Sequence, residues 1–140
     1  MAILDRALVR LLPAVPRTVV RRIADRYIAG EELGDAVETV ARLNAGGKTA
    51  TIDVLGEEVK ERAKAEKAVQ EYLEVFAAID REKLDSNVSI KLTLLGLKID
   101  ESFCRDNVER IAAAAKAHGN FVRIDMEDHT CTDATLRIYR

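Results

Sequence analysis

The stretch NVSIKLTL, residues 87–94, alternates apolar and polar side chains along its whole length. Such strict alternation is typical of a β-strand whose two faces meet different surroundings. Two similar stretches, KTATIDVL at 48–55 and NFVRIDM at 120–126, lie on either side of it, and each interval has room for one helix. The sequence therefore predicts strands that alternate with helices, as in right-handed βαβ units on a parallel sheet.

Helices are predicted to follow each of the three strands. They cover 57–79 and 101–118, and the third begins near Thr132. Upstream, residues 1–45 have helical patterns throughout, and Gly46-Gly47 is expected to end the last of these helices because glycine takes a left-handed cap conformation without steric cost. The predicted fold class is α/β, with an N-terminal helical segment at 1–45 and strand–helix units at 46–140.

The predicted strands have one apolar and one polar face. The apolar positions are Ala50, Ile52, Val54, Val88, Ile90, Leu92, Val122, Ile124 and Met126. The other positions are Thr49, Thr51, Asp53, Ser89, Lys91, Thr93, Phe121, Arg123 and Asp125. An open doubly wound sheet is covered on both faces, whereas a (β/α)₈ barrel turns one face inward. Because unpaired buried charge is costly, the polar face predicts a barrel whose interior holds a charged site in which Asp53, Lys91, Arg123 and Asp125 compensate one another.

Active sites of such barrels lie at the carboxyl ends of the strands. Lys91, Asp125 and Glu127 fall near those ends, and Glu57 comes just after the first strand. These residues are therefore candidates for a functional site. The alternative is an ion-pair network that only holds the barrel together.

Composition excludes several classes of protein. The 140 residues carry 22 Lys and Arg against 24 Asp and Glu, a net charge of −2, which gives no general case for binding nucleic acid. No apolar run could span a bilayer, and two cysteines without a CxxC motif suit a reducing compartment, so a cytoplasmic location is expected. Peripheral contact with the inner face of a membrane stays open because the start is basic, with Arg6, Arg10, Arg17, Arg21, Arg22 and Arg26.

Two short motifs are interpreted as loops. AGGKT at 45–49 lacks the glycine and the strand–loop–helix order of a phosphate-binding loop, so a helix cap is expected there. DHTC at 128–131 is expected to precede a helix capped by Thr130 or Thr132, and no metal site is predicted.

Four segments resemble the proline dehydrogenase family, the flavin-dependent enzymes of proline catabolism. They are RYIAGE at 26–31, LNAGGKTATIDVLGE at 43–57, NVSIKLTLLGLKID at 87–100 and VRIDMEDHTCTDATL at 122–136. KLT-x-LGL followed by RIDMED at this spacing is the most specific part. The resemblance implies a distorted (β/α)₈ barrel preceded by helices. It also implies oxidation of L-proline to Δ1-pyrroline-5-carboxylate by bound FAD, which passes electrons to a quinone or another acceptor.

The resemblance also implies roles for individual residues. Lys91 matches the lysine that contacts the proline carboxylate, and Asp125 matches the active-site, catalytic aspartate of the family. Met126 matches a position that contacts the flavin, through its backbone because its strand parity points outward. Glu57 resembles the acidic substrate-binding residue that can close the site by pairing with a later arginine.

The length departs from that family, because three predicted strands are fewer than the eight of a full barrel. We therefore expect a truncated barrel, whose carboxylate-binding arginines and most FAD-binding strands would lie beyond Arg140. Two alternatives remain: a non-catalytic α/β fragment or interaction module of the same family, and a different barrel enzyme. Oligomers are also open, because a partial barrel exposes a sheet edge.

Overall fold

A computed structural model describes residues 29–30 and 32–140. Its elements are α1 (Leu33–Ala45), β1 (Ala50–Asp53), α2 (Arg62–Arg81), β2 (Ser86–Ile90), α3 (Glu101–Ala117), β3 (Val122–Ile124) and α4 (Thr132–Tyr139). The helices predicted over residues 1–28, and the basic start, lie outside the described residues.

The three strands form one parallel sheet in the order β1-β2-β3, with a helix after each strand. Ile52 pairs with Val88, and Val88 pairs with Val122, so apolar positions share one face across the sheet. The predicted α/β class and the predicted alternation of strands and helices are confirmed. All three strands lie in a compact unit, Val37–Arg140.

The core lies between the sheet and helices α2 and α3. Helix α2 packs against α3 and β2, and α3 packs against β3. The buried side chains include Ile52, Val69, Phe76, Val88, Ile90, Leu92 and Ile111. Each large apolar side chain removed from water in this way contributes about 1.5–3 kcal/mol, so the predicted apolar face of β1 and β2 holds the sheet against its helices.

The strands are shorter than the alternation predicts. Strand β2 ends at Ile90, where the prediction extended it to residue 94, because the backbone N–H groups of Leu94 and Leu95 donate to the Lys91 carbonyl and close a turn. Strand β1 covers 50–53 of the predicted 48–55, and β3 covers 122–124 of the predicted 120–126. Strand β2 is followed directly by a turn, whereas β1 and β3 continue into irregular segments, and alternation alone indicates neither.

Helix α2 begins at Arg62, five residues later than predicted. The segment before α2 is bonded to the turn that follows β2. The N–H of Glu58 donates to the Thr93 hydroxyl at 3.0 Å, and the N–H of Val59 donates to the Thr93 carbonyl at 3.2 Å. Glu58 also has a φ of +53°, which a helix cannot contain.

The helix ends follow the sequence in one case and depart from it in another. Gly47, with a φ of +70°, donates its N–H to the Asn44 carbonyl just after α1, which confirms the predicted glycine end. The predicted capping of α4 by Thr130 or Thr132 is wrong. Cys131 occupies the cap position and makes no side-chain cap bond. Thr130 does not cap the helix because its hydroxyl donates to Asp128 instead.

The outer side of β3 is only partly covered. An apolar groove of about 490 Å³ opens there, and its lining includes Val108, Ala112, Val122, Ile124, Met126, Leu136, Ile138 and Tyr139. We call this surface the β3 groove. In the part of the chain from residue 32 onward, together with residues 29–30, no helix is long and apolar enough to cross a membrane.

Candidate functional site

Three charged side chains meet at the carboxyl ends of the parallel strands. Asp53 is the last residue of β1, and Lys91 and Asp125 directly follow β2 and β3. The Lys91 ammonium group donates a hydrogen bond to Asp53 Oδ2, and its Nζ lies 3.7 Å from Asp125 Oδ2. Parallel pairing explains this, because it brings the same ends of neighbouring strands together. The expected charge compensation is found for these three residues.

The fourth charged residue of that face, Arg123, takes a different place. Its guanidinium group is exposed and donates to the Thr51 hydroxyl at 3.2 Å, earlier along the strands. Arg123 therefore belongs to the same polar face but not to the cluster around Lys91.

Asp125 is fixed by two bonds to β2. Its backbone N–H donates to the Ile90 carbonyl at 2.9 Å, which continues the β2–β3 ladder by one residue. Its side-chain Oδ1 accepts a hydrogen bond from the Ser89 hydroxyl, and Ser89 is buried. The carboxylate is thus held with Oδ2 turned toward Lys91.

The electrostatics keep Lys91 positively charged. The hydrogen bond to Asp53 raises the pKa of the Lys91 ammonium group, partial burial opposes this, and the charges of Asp53 and Asp125 add to the rise. An ammonium group has three N–H donors, and one of them is committed to Asp53. Lys91 therefore retains donors for an anionic ligand.

A cavity of about 400 Å³ opens beside this cluster. It is lined by Glu57, Glu58, Lys91, Asp125, Met126, Glu127 and Asp128. We call it the acidic cavity. The candidates predicted at the strand ends (Glu57, Lys91, Asp125 and Glu127) and the residue implied to contact a flavin (Met126) all line this one space.

Met126 lies differently from the parity argument. That argument turned its side chain toward the covering helices, but β3 ends at Ile124, so the alternation no longer applies. The Met126 side chain is 57% exposed and lines both the acidic cavity and the β3 groove. It offers an apolar contact surface next to Lys91 and Asp125. Glu57 is likewise exposed at the cavity, in the segment that precedes α2.

Thr93 ties the three strand-end loops together. Its N–H donates to Glu127 Oε2 at 2.9 Å, and its hydroxyl donates to Glu127 Oε1. The same hydroxyl accepts from the N–H of Glu58. Thr93 is almost fully buried, and its partners Glu58 and Glu127 both line the acidic cavity, so these bonds hold two of the lining residues in place.

The outer rim is joined by Lys98. Its ammonium group donates to Glu58 and, at 3.2 Å, to Asp128 Oδ2. These bonds raise the pKa of Lys98. At Asp128, hydrogen bonds from the Thr130 hydroxyl and N–H lower the pKa of the carboxyl group to about 2, with a further contribution from Lys98. Lys98 and Asp128 therefore both stay charged at neutral pH.

The DHTC segment forms a turn rather than a ligand cluster. The N–H of Thr130 donates to Asp128 at 2.7 Å, and Cys131 is buried. Over residues 29–30 and 32–140, no three or more His, Cys, Asp or Glu side chains are grouped so as to hold a metal ion.

Sequence reasoning missed several contributors, among them Thr93 and Tyr72. Thr93 shares the parity of Lys91, which was a usable signal, although its bonds to Glu127 were not foreseen. Tyr72 lies on α2, far along the chain from the strand ends, yet its hydroxyl donates to Asp53 Oδ1 at 3.1 Å. Its only sequence signal is a hydroxyl-bearing aromatic residue on the apolar side of that helix.

Comparison with known proteins gives consistent matches. The sequence model of the proline dehydrogenase family matches residues 36–140. "Proline dehydrogenase 1" of Bacillus subtilis (strain 168) is 39% identical over 117 residues, which cover 84% of this chain and 39% of that protein. The proline dehydrogenase of Deinococcus radiodurans is 35% identical over 121 residues, again covering 84% and 39%. The chain thus spans about two fifths of the length of these curated relatives.

A solved structure shares the fold. Proline utilization A from Bdellovibrio bacteriovorus, crystallised after inactivation by N-propargylglycine, superposes with a TM-score of 0.73 at 23% sequence identity. The match covers 80% of this chain and 14% of that one. The arrangement of strands and helices is therefore that of a domain present in a much longer protein.

Proposed function

Because the chain belongs to the proline dehydrogenase family, we propose that it carries part of a site at which L-proline is oxidised to Δ1-pyrroline-5-carboxylate. In this proposal Lys91 and Glu57 bind the substrate, Asp125 is the catalytic aspartate and Met126 contacts FAD. The observation that carries the proposal is the placement of Lys91, between two carboxylates at the edge of the acidic cavity.

The charge pattern suits an amino acid. A ligand with only a carboxylate would be attracted by Lys91 but repelled by the acidic side chains around it, namely Glu57, Glu58, Asp125, Glu127 and Asp128. A zwitterion such as proline carries a positive amine next to its carboxylate. The carboxylate binds the free donors of Lys91, and the amine lies toward Asp125.

The protein's part in the reaction is to position and balance charge. Lys91 holds the substrate carboxylate, and Asp125 compensates the ammonium group of Lys91 and orders the polar side of the cavity. Glu57 is free to pair with an arginine that closes the site. FAD, when bound, would supply the hydride acceptor, and an electron acceptor such as a quinone would reoxidise it.

The described residues fit one side of a flavin site. Met126 presents an exposed apolar side chain beside Lys91 and Asp125, so a flavin ring lying against it would be next to the substrate. We propose that the remaining contacts to a flavin come from residues other than those described here.

The same proposal covers the architecture. We interpret residues 46–140 as the first three units of a (β/α)₈ barrel, and residues 1–45, of which α1 is the described helix, as the segment that precedes it in the chain. The parallel order β1-β2-β3 with a helix after each strand supports this interpretation. A cytoplasmic location is proposed as well, with the basic start as the region for any contact with the inner face of a membrane and the edge of the sheet as the region for any contact with a second subunit.

The test compares Lys91→Ala with wild type in proline-dependent dye reduction with added FAD. We expect the KM for L-proline to rise about 10–100-fold, the value of one lost charged hydrogen bond, while the Kd for FAD changes little. Lys67→Ala is the matched control, because Lys67 forms an exposed ion pair with Glu71 on α2.

An unchanged KM in Lys91→Ala would contradict the assignment of Lys91. A wild-type chain that binds neither FAD nor L-proline would instead support the non-catalytic α/β module. The β3 groove and the open edge of β3 favour that second candidate, because both are surfaces that a partner could cover.

A further inference from the structure

Tyr72 is a core residue with a polar function. Its side chain is 0% exposed on α2, among the apolar residues that pack on the sheet. A phenylalanine would fill the same space, but the tyrosine hydroxyl must find a partner because an unpaired buried hydroxyl is costly. That partner is Asp53, at the carboxyl end of β1.

The two oxygens of Asp53 have separate partners. Oδ1 accepts from the Tyr72 hydroxyl at 3.1 Å, and Oδ2 accepts from the Lys91 ammonium group. The plane of the carboxylate is therefore fixed from the helix side and the cavity side at once. Rotation of Asp53 would break at least one of these bonds.

Tyr72 remains a donor throughout the working pH range. Burial raises the pKa of its phenol, and the negative charge of Asp53 raises it further. The hydroxyl is thus always protonated and always available to Asp53. Tyr72 therefore adds no negative charge beside Asp53 and Lys91.

We propose that Tyr72 and Asp53 are positioning residues for Lys91: the buried phenol orients the Asp53 carboxylate, which holds the Lys91 ammonium group at the edge of the acidic cavity. The proposal rests on the proposed function for the role of Lys91 as the carboxylate-binding group. It adds a contribution from the helix layer that no strand residue supplies.

A packing role alone makes a different prediction. If Tyr72 only fills the core, removing its hydroxyl changes stability and leaves the mobility of Lys91 unaffected. If it acts through Asp53, removing the hydroxyl loosens Lys91 even though the ring still fills its space.

The first experiment measures Lys91 itself, without substrate or flavin. In protein labelled with ¹³C and ¹⁵N at lysine, NMR reports the order parameter of the Lys91 side chain and the exchange rate of its ammonium protons with water. We expect Tyr72→Phe to lower the order parameter and to speed exchange roughly fivefold, as for the loss of one net hydrogen bond. Tyr139→Phe is the control, because Tyr139 is 75% exposed on α4.

A double-mutant cycle then tests whether Tyr72 acts on Lys91 through Asp53. Asp53→Asn keeps the shape of the side chain and removes the charge that holds Lys91. We expect Asp53→Asn to loosen Lys91 more than Tyr72→Phe does, and the double variant to behave like Asp53→Asn alone, because both changes act through one carboxylate. Effects on Lys91 that simply add would overturn the proposal, as would an unchanged Lys91 in Tyr72→Phe.

The second experiment separates this proposal from the proposed function. In FAD-supplemented protein, Tyr72→Phe should raise the KM for L-proline several-fold with a smaller change in kcat, and Tyr139→Phe should change neither. If wild type fails to bind proline while Tyr72→Phe loosens Lys91, the proposed function fails and the positioning role stands. A Lys91 that is equally ordered in both proteins overturns the positioning role, whatever proline does.

Discussion

Gly96 occupies a position in the turn after β2 that only glycine fits. Its φ is +96°, a conformation that residues with a side chain rarely adopt. An added Cβ would also lie 2.8 Å from two ring carbons of Phe103, on α3. The backbone and the space around it thus impose the same requirement. Lys91 is the first residue of this turn. The close packing of Gly96 against α3 therefore also helps to fix the position of Lys91.

We expect Gly96→Ala to lower the free energy of unfolding by about 2–4 kcal/mol, from backbone strain together with the displaced Phe103 ring. Urea denaturation followed by circular dichroism measures the change. Gly34→Ala is the control, because it lies in α1 with nothing within 4 Å of an added Cβ. Equal stability of Gly96→Ala and wild type would show that the turn rearranges freely.

At the same scale, the sequence predicts the charged centre of the site but not its supports. Alternation along the strands and proximity to their ends were enough to bring Asp53, Lys91 and Asp125 together. Tyr72 could not be predicted, because its bond to Asp53 depends on the rotation of α2 over the sheet. Tertiary packing determines that rotation, and local periodicity does not specify it to within a hydrogen bond.

At the scale of elements, α3 shows how one helix begins. Asp100 is its cap: the side chain accepts from the N–H of Phe103 at 3.0 Å and from the Ser102 hydroxyl at 2.7 Å. The bond from the Phe103 N–H, helped by Ser102, lowers the pKa of Asp100 from 3.8 to about 2. A carboxyl group whose pKa is lower in the folded protein stabilises the fold above its unfolded pKa.

This gives a pH prediction for Asp100→Asn. The asparagine still accepts a capping bond but does not titrate. Wild type should therefore have the higher free energy of unfolding, with the full difference present above about pH 4 and a smaller difference as the pH falls toward 2. Urea denaturation at about pH 5, 4 and 3 measures it.

The control for that series is Asp106→Asn, on the same helix but outside its cap. The difference in free energy of unfolding between Asp106→Asn and wild type should not show the decrease between about pH 4 and 2 that is expected for Asp100→Asn. A wild-type advantage over Asp100→Asn that stays constant down to about pH 3 would contradict the role of the charged cap.

The order of elements was predictable, whereas their limits were not. Within residues 32–140, alternating strand patterns and glycine ends predicted three strands and four helices in the order that the structure shows. The limits of β2 and α2 depend instead on Thr93, which pairs through its backbone and hydroxyl with residues more than thirty positions away in each direction. Contacts of that range leave no periodic signal in the local sequence.

At the scale of the whole molecule, the β3 groove is an exposed apolar surface beside a strand edge. Strand β3 is the last in the sheet order, and the nearby Met126, Leu136 and Tyr139 side chains are all exposed. Such surfaces bind hydrophobic dyes and invite association. This is the physical basis for the alternative of an interaction module, since a partner that covered the groove would remove this surface from water.

We expect the native chain to enhance the fluorescence of the dye ANS, and Leu136→Glu to reduce that enhancement at least twofold by placing a charge in the groove. Leu55→Glu is the control, because Leu55 is 98% exposed but does not line the groove. Equal loss in both variants, or none in either, would show that the dye does not report this surface.

Two sets of bonds beside the acidic cavity differ in how strongly dissolved salt weakens them. The Lys98 bridge over the rim is exposed, so dissolved salt screens it over a Debye length of about 8 Å at physiological ionic strength. The Thr93–Glu127 bonds are part-buried and are screened less. We therefore expect added salt to weaken the Lys98 bridge before it affects the Thr93–Glu127 bonds. Ionic strength then changes the mobility of the Glu58 and Asp128 side chains at the cavity without any change in the fold.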